Sequence, residues 1–169
     1  MLKPQDLVIL LKVHVFKNHA WTYEELANSL GMSASEVHAG LKRCVLSGLY
    51  AASSKQIRSQ AVLEFLIHGL KYVFPVQPGA VGRGIPTAHY AEPLKSLLSS
   101  SAESVYVWPD PSGLVKGQTI TPLYKSVPVA VKNDLVLYEL LSLIDAIRIG
   151  RVREQQLAID LLEQRLIAT

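Results

Sequence analysis

The chain has 169 residues, of which 49% are apolar and only 18% charged, fewer charges than the roughly 25% usual in a soluble domain. That is enough for one ordinary domain or two small linked units with a real core, and too apolar for a disordered segment. The net charge of +3 is too small to establish nucleic-acid binding, but residues 1–72 hold eight basic and five acidic residues and the remainder nine of each, so the excess lies wholly in the first half. A single cysteine, Cys44, excludes an internal disulfide and a thiolate zinc cluster and fits a reducing compartment. No secretion signal is evident, and no run approaches the roughly 18 apolar residues of a membrane span. A cytoplasmic protein without membrane association is expected.

Pro4 suits a first helical turn, and Leu7, Leu10, Leu11, His14 and Val15 recur at helical spacing, which predicts a helix to about residue 18. Thr22 followed three positions later by Glu25 is a capping box opening a helix over 23–30, which Gly31 ends. Ser33 or Ser35 caps the next helix, which reaches about Ser47, with Gly48 as a left-handed exit before Leu49. Residues 53–59 are polar and carry Lys55 and Arg58, a loop or a minimal wing. A further helix is expected over 60–70, burying Val62, Leu63, Leu66 and Ile67.

Residues 75–86 hold three prolines and three glycines, a rigid, irregular segment and the expected boundary between units 1–74 and 75–169. Within it, residues 78–89 place Arg83 among Gly79, Gly82 and Gly84. A guanidinium fork there suits a carboxylate or phosphate, but the glycines match neither a phosphate loop nor a dinucleotide fingerprint, and a structural or partner-binding loop is the preferred reading. The second unit opens with a short helix near 93–98. Two strand-like runs follow, 104–108 and 114–120, joined by a Pro/Gly turn as a hairpin. Trp108 should cover that hairpin, and Lys116 would reach a phosphate only if the hairpin acted as a displaced wing. An apolar helix over 134–149 carries Leu137, Leu140, Leu141, Ile144 and Ile147, with Leu135, Val136, Leu143 and Ile149 outside the main stripe, a dimer seam or a fully buried core helix. An amphipathic helix over about 152–166 closes the chain. The fold class is mostly α with a small β-hairpin.

The spacing of Leu26, Ala27, Leu30, Gly31, Val37 and Leu41 has the form of a helix-turn-helix: Ala27 allows close crossing, Gly31 the tight turn, and Leu30, Val37 and Leu41 a shared core. On the second helix Val37, Leu41, Cys44 and Val45 cluster on one side, while Ser35, His38, Ala39 and Lys42 face away with Arg43 at the edge. Such a stripe can enter a major groove: Thr22, Ser33, Ala34 and Ser35 would offer hydroxyls and helix-start amides to phosphate, His38 would meet base edges, and Lys42, Arg43, Lys55 and Arg58 would neutralise backbone charge.

The stretch TYEELANSLGMSASEVHAGLKRCVLSGL, residues 22–49, resembles bacterial winged helix-turn-helix regulators of the broad MarR-like or GntR-like type. With the first helix the resemblance covers residues 2–50. It implies a transcriptional regulator on double-stranded DNA, a repressor rather than an activator, binding as a homodimer with half-sites about one helical turn apart. Those families follow the recognition helix with a strand-turn-strand wing, whereas here a short polar segment leads into another helix. The alternative is a protein-binding adaptor or antitoxin-like partner whose apolar second half docks on another protein.

No enzyme, cofactor or metal site is expected. The five histidines are scattered without metal-ligand spacing. His14 and His68, on apolar helices, are expected to be buried and hydrogen-bonded, and Cys44 to be a packed thiol. Residues 99–101 are a serine loop without the histidine and acid of a triad.

Overall fold

The computed structural model describes residues 1–17, 19–98 and 104–167; the expected serine loop at 99–101 lies outside them. The chain opens with α1 (Pro4–Phe16), α2 (Tyr23–Leu30) and α3 (Ala34–Leu46). A two-stranded antiparallel sheet follows, β1 (Tyr50–Ala51) with β2 (Gln56–Ile57), pairing Tyr50 with Ile57 and Ala51 with Gln56. Next come α4 (Ser59–His68) and the single turn α5 (Leu70–Val73). The polar segment 53–59 is therefore half of a minimal hairpin rather than a plain loop.

The second half departs from expectation at its centre. The Pro/Gly-rich segment is not an irregular loop, because residues 81–87 form a strand, β3 (Val81–Thr87). It pairs antiparallel with both β4 (Tyr106–Pro109) and β5 (Val115–Thr119), and β4 and β5 meet each other in parallel over a short stretch, closing a three-stranded barrel. The last two strands thus meet in parallel rather than as the expected antiparallel hairpin, because both run antiparallel to β3. Gly84 is required at this crowded junction, since a Cβ there would lie 1.9 Å from the Trp108 carbonyl oxygen. Arg83 and Lys116 are exposed register partners on β3 and β5.

The remaining elements are a 3-10 turn (Ala88–Tyr90), the short helices α6 (Leu94–Leu97) and α7 (Val127–Ala130), and the long helices α8 (Leu135–Ile149) and α9 (Val152–Leu166). The proposed division near residue 74 is not a division of cores. One cluster of buried apolar side chains runs from Leu7 on α1 through Leu26, Leu66 and Trp108 to Leu140 on α8 and Leu166 on α9. Helix α8 is its centre, with Leu137, Leu140, Leu141, Leu143, Ile144, Ala146 and Ile147 all buried. Its apolar surplus serves the chain's own core, while Leu135 and Val136 at its start remain exposed.

Polar contacts lock the halves together. Asp134 caps α8 through the Leu137 N–H and pairs with Lys12 of α1. Deeper in α8, the fully buried Asp145 carboxylate accepts from Thr87 Oγ1 and Trp108 Nε1, each at 2.7 Å, and from Arg148 at 3.1 Å. Arg148 also donates to the Phe74 carbonyl at 3.0 Å, so one node fastens β3, β4, α8 and the end of α5. Burial pushes the Asp145 carboxyl above its ordinary value, opposed by Arg148 and by the Thr87 and Trp108 bonds. Tyr138 adds a hydroxyl bond of 2.6 Å to the Pro86 carbonyl.

Of the two histidines expected inside, His68 is exposed, because its position on α4 points away from the core. His14 is half-buried, with Nε2 2.9 Å from the Arg165 carbonyl of α9. Burial holds its pKa below 6.5, outweighing the raising effect of that bond and reinforced by Lys17. As pH falls below 6.5, the unfolded chain takes up a proton that the folded chain resists, so stability is lost until the lower folded pKa is passed. Urea midpoints measured from pH 7.5 to 5 should therefore decline, and His14→Gln should flatten that decline relative to wild type. A variant with the same slope as wild type would show that His14 does not carry the effect.

Candidate nucleic-acid interface

Helices α2 and α3 start where local chemistry dictates. Thr22 Oγ1 accepts from the Glu25 N–H at 3.1 Å and Glu25 takes the Thr22 N–H in return; Ser33 and Glu36 repeat the exchange at 3.1 and 2.7 Å. Gly31, at φ 65°, ends α2 in the left-handed region. Helix α3 packs on α1 at Gly40, where a Cβ would lie 2.5 Å from Ile9 Cδ1 and 2.9 Å from Asp6 Oδ1. That close crossing buries Val37, Gly40, Leu41 and Cys44 and turns the opposite side of α3 outward. The Cys44 thiol is pushed up to about 12, chiefly by burial, which makes it a packed group.

On the outward side Ser33, Ala34, Ser35, His38 and Lys42 are exposed and Ala39 is half-buried. Among the described residues, no segment of the second half covers the five exposed positions. The first amides of α3, at Ala34 and Ser35, have no acceptor within the helix and sit at the positive end of its dipole. His38 is held edge-on against Tyr23, ring centroids 5.2 Å apart, so its orientation is set by α2. Lys42 makes no salt bridge among the described residues.

Arg43 departs from its expected place. Its Nε and Nη2 each bond one oxygen of Asp6 at 2.8 Å, and the Asp6 side chain is wholly buried. The Nε–Nη2 edge of the guanidinium is thus committed to α1, a placement that the reading of Arg43 as a phosphate ligand did not anticipate. The sequence carried one clue: an acid on the apolar stripe of α1 demands a buried partner.

The hairpin stands beside α2. Lys55 at its tip, φ 54°, bends back so that Nζ lies 5.0 Å from the Trp21 ring and 3.4 Å from the Trp21 carbonyl. Arg58 is exposed where α4 begins. The hairpin therefore brings Lys55 to Trp21 and Tyr23 at the start of α2, anchored rather than extended, whereas Arg58 lines a shallow hollow with Leu166 and Ile167 at the end of α9.

Residues on the far side of the chain also touch this site, and no local pattern announces them. Tyr124 donates its hydroxyl to Glu36 Oε1 at 2.7 Å, and Ser126 donates to the Leu30 carbonyl, so the segment before α7 buttresses the turn between α2 and α3. Compared with family models, curated proteins and solved structures, the chain has no significant match.

Proposed function

We propose that this chain is a sequence-specific DNA-binding transcriptional regulator, a repressor acting as a homodimer, with α3 as the helix that enters the major groove. The observation that carries the reading is the exposed outer face of α3, where small residues, one oriented histidine and one lysine without a salt bridge among the described residues stand together on a helix otherwise fixed to the core. Ser33, Ala34 and Ser35 let the helix approach closely and offer amides to phosphate, His38 and Ala39 meet base edges, and Lys42, Lys55 and Arg58 supply backbone charge. The arrangement of α1 to α4 around the β1–β2 hairpin supports a winged form with a very short wing.

Lys42→Ala should weaken binding to every duplex and flatten its salt dependence, whereas His38→Ala should mainly relax base preference. Both follow from anisotropy titrations on preferred and scrambled duplexes; unchanged affinity and preference in both variants would defeat the reading. A second reading, a protein-binding adaptor, is favoured by the exposed Val129, Leu135 and Val136 on α7 and α8, which are 63%, 71% and 52% exposed. Co-purification with one protein at fixed stoichiometry, in place of a homodimer, would support it.

A further inference from the structure

Two flanks border the outer face of α3. Positions 36 and 38 are two residues apart and so about 200° apart around the helix. His38 faces Tyr23 on one flank, and Lys55 of the hairpin lies over Trp21 and Tyr23, 5.9 Å from the Tyr23 ring. Glu36 faces Tyr124 on the other flank. Beside Tyr124 stands Lys125, exposed, with Nζ 5.8 Å from the Tyr124 ring and no salt bridge among the described residues. Its backbone is fixed from both sides, by Leu123 in the core and by Ser126 on the Leu30 carbonyl.

We propose that Lys125 is a phosphate contact of the DNA interface, supplied by the second half of the chain on the flank of α3 opposite Lys55. This rests on the DNA-binding reading above. Lysines on both flanks match a helix seated between the two sugar-phosphate strands that border a major groove about 12 Å wide. Lys125 also offsets the one acid at that end of α3: the Glu36 carboxyl is held below its ordinary value chiefly by Ser33 and Tyr124, with Lys125 adding to the effect. Without Lys125 the Glu36 flank would present net negative charge to a phosphate strand.

The test is a salt titration of binding to a duplex enriched from a random pool by the wild-type protein, using Lys125→Gln, Lys125→Arg, Lys42→Ala and the remote control Lys95→Gln. Lys125→Gln should weaken binding about five- to tenfold at roughly 0.1 M salt, equally on enriched and scrambled duplexes. It should also lower the salt slope by about one. Lys125→Arg should bind as wild type does, and Lys95→Gln should change nothing. If Lys42→Ala loses affinity while Lys125→Gln does not, the Lys125 contact is overturned and the DNA reading stands. A Lys125→Gln loss with an unchanged slope overturns it too, since no phosphate charge is then involved. If the wild-type protein enriches no duplex, both fall together.

Discussion

Arg43→Ala lowers folding stability by about 3 kcal/mol, because it strands a buried charge. The Asp6 side chain is wholly buried and Arg43 supplies two of its bonds at 2.8 Å; what remains is the Lys3 N–H at the start of α1, also at 2.8 Å. That bond and the helix dipole soften the loss, as does the one-fifth exposure of the arginine itself. For a chain of this size the fall in Tm should be roughly 6–12 °C. Lys42→Ala, one position away on the exposed face, should leave Tm nearly unchanged and act on DNA affinity alone. Removing both partners with Asp6→Leu and Arg43→Met should recover much of the stability, since no unpaired charge is then buried. An Arg43→Ala protein that melts with wild type but binds DNA poorly would restore Arg43 to the interface.

The second large effect belongs to the node under β3 and β4. Arg148→Ala leaves Asp145 buried with two neutral donors and frees the Phe74 carbonyl, at side-chain exposures of 5% for Arg148 and 2% for Asp145. A loss of about 3–5 kcal/mol is expected, or roughly 6–20 °C in Tm. The loss should depend on pH in a defined direction. Burial already raises the Asp145 carboxyl above 3.8, and deleting Arg148 raises it further. The folded variant then keeps a proton that the unfolded chain releases, so its stability is greatest below the unfolded value and falls as pH rises through the folded one. Chemical denaturation should show a smaller deficit near pH 4–5 than at pH 7. Trp108→Phe, which removes one donor and part of a buried ring system, should cost about 2–3 kcal/mol. An Arg148→Ala deficit that is absent, or that grows on acidification, would contradict this account of the node.

These two sites mark the limit of what was legible in the sequence. Helices α2 and α3 could be placed to within two residues because each begins with a hydroxyl and a glutamate three positions on, a signal contained in one turn. The exposed stripe of α3 followed from the same local periodicity, except that Val45, expected on the inner side, is 46% exposed. Partners 37 and 88 residues away, Asp6 for Arg43 and Tyr124 for Glu36, leave no local trace, and Arg43 was misplaced for that reason. Strand β3 was hidden by its composition. Glycine and proline usually break strands, but here Gly84 is needed because the Trp108 backbone passes so closely. Asp6 and Asp145 stand on apolar helices and so had to find buried partners, but nothing local says which residues those are.

The central claim is that the outer face of α3 reads duplex DNA, and selection from a random duplex pool at roughly 0.1 M salt, followed by footprinting of the enriched sequence, tests it most directly. The account predicts a defined sequence, with major-groove protection in two half-sites about one helical turn apart and its loss in Lys42→Ala. A pool that never departs from random, or a selected site bound equally well by Lys42→Ala and His38→Ala, would contradict it.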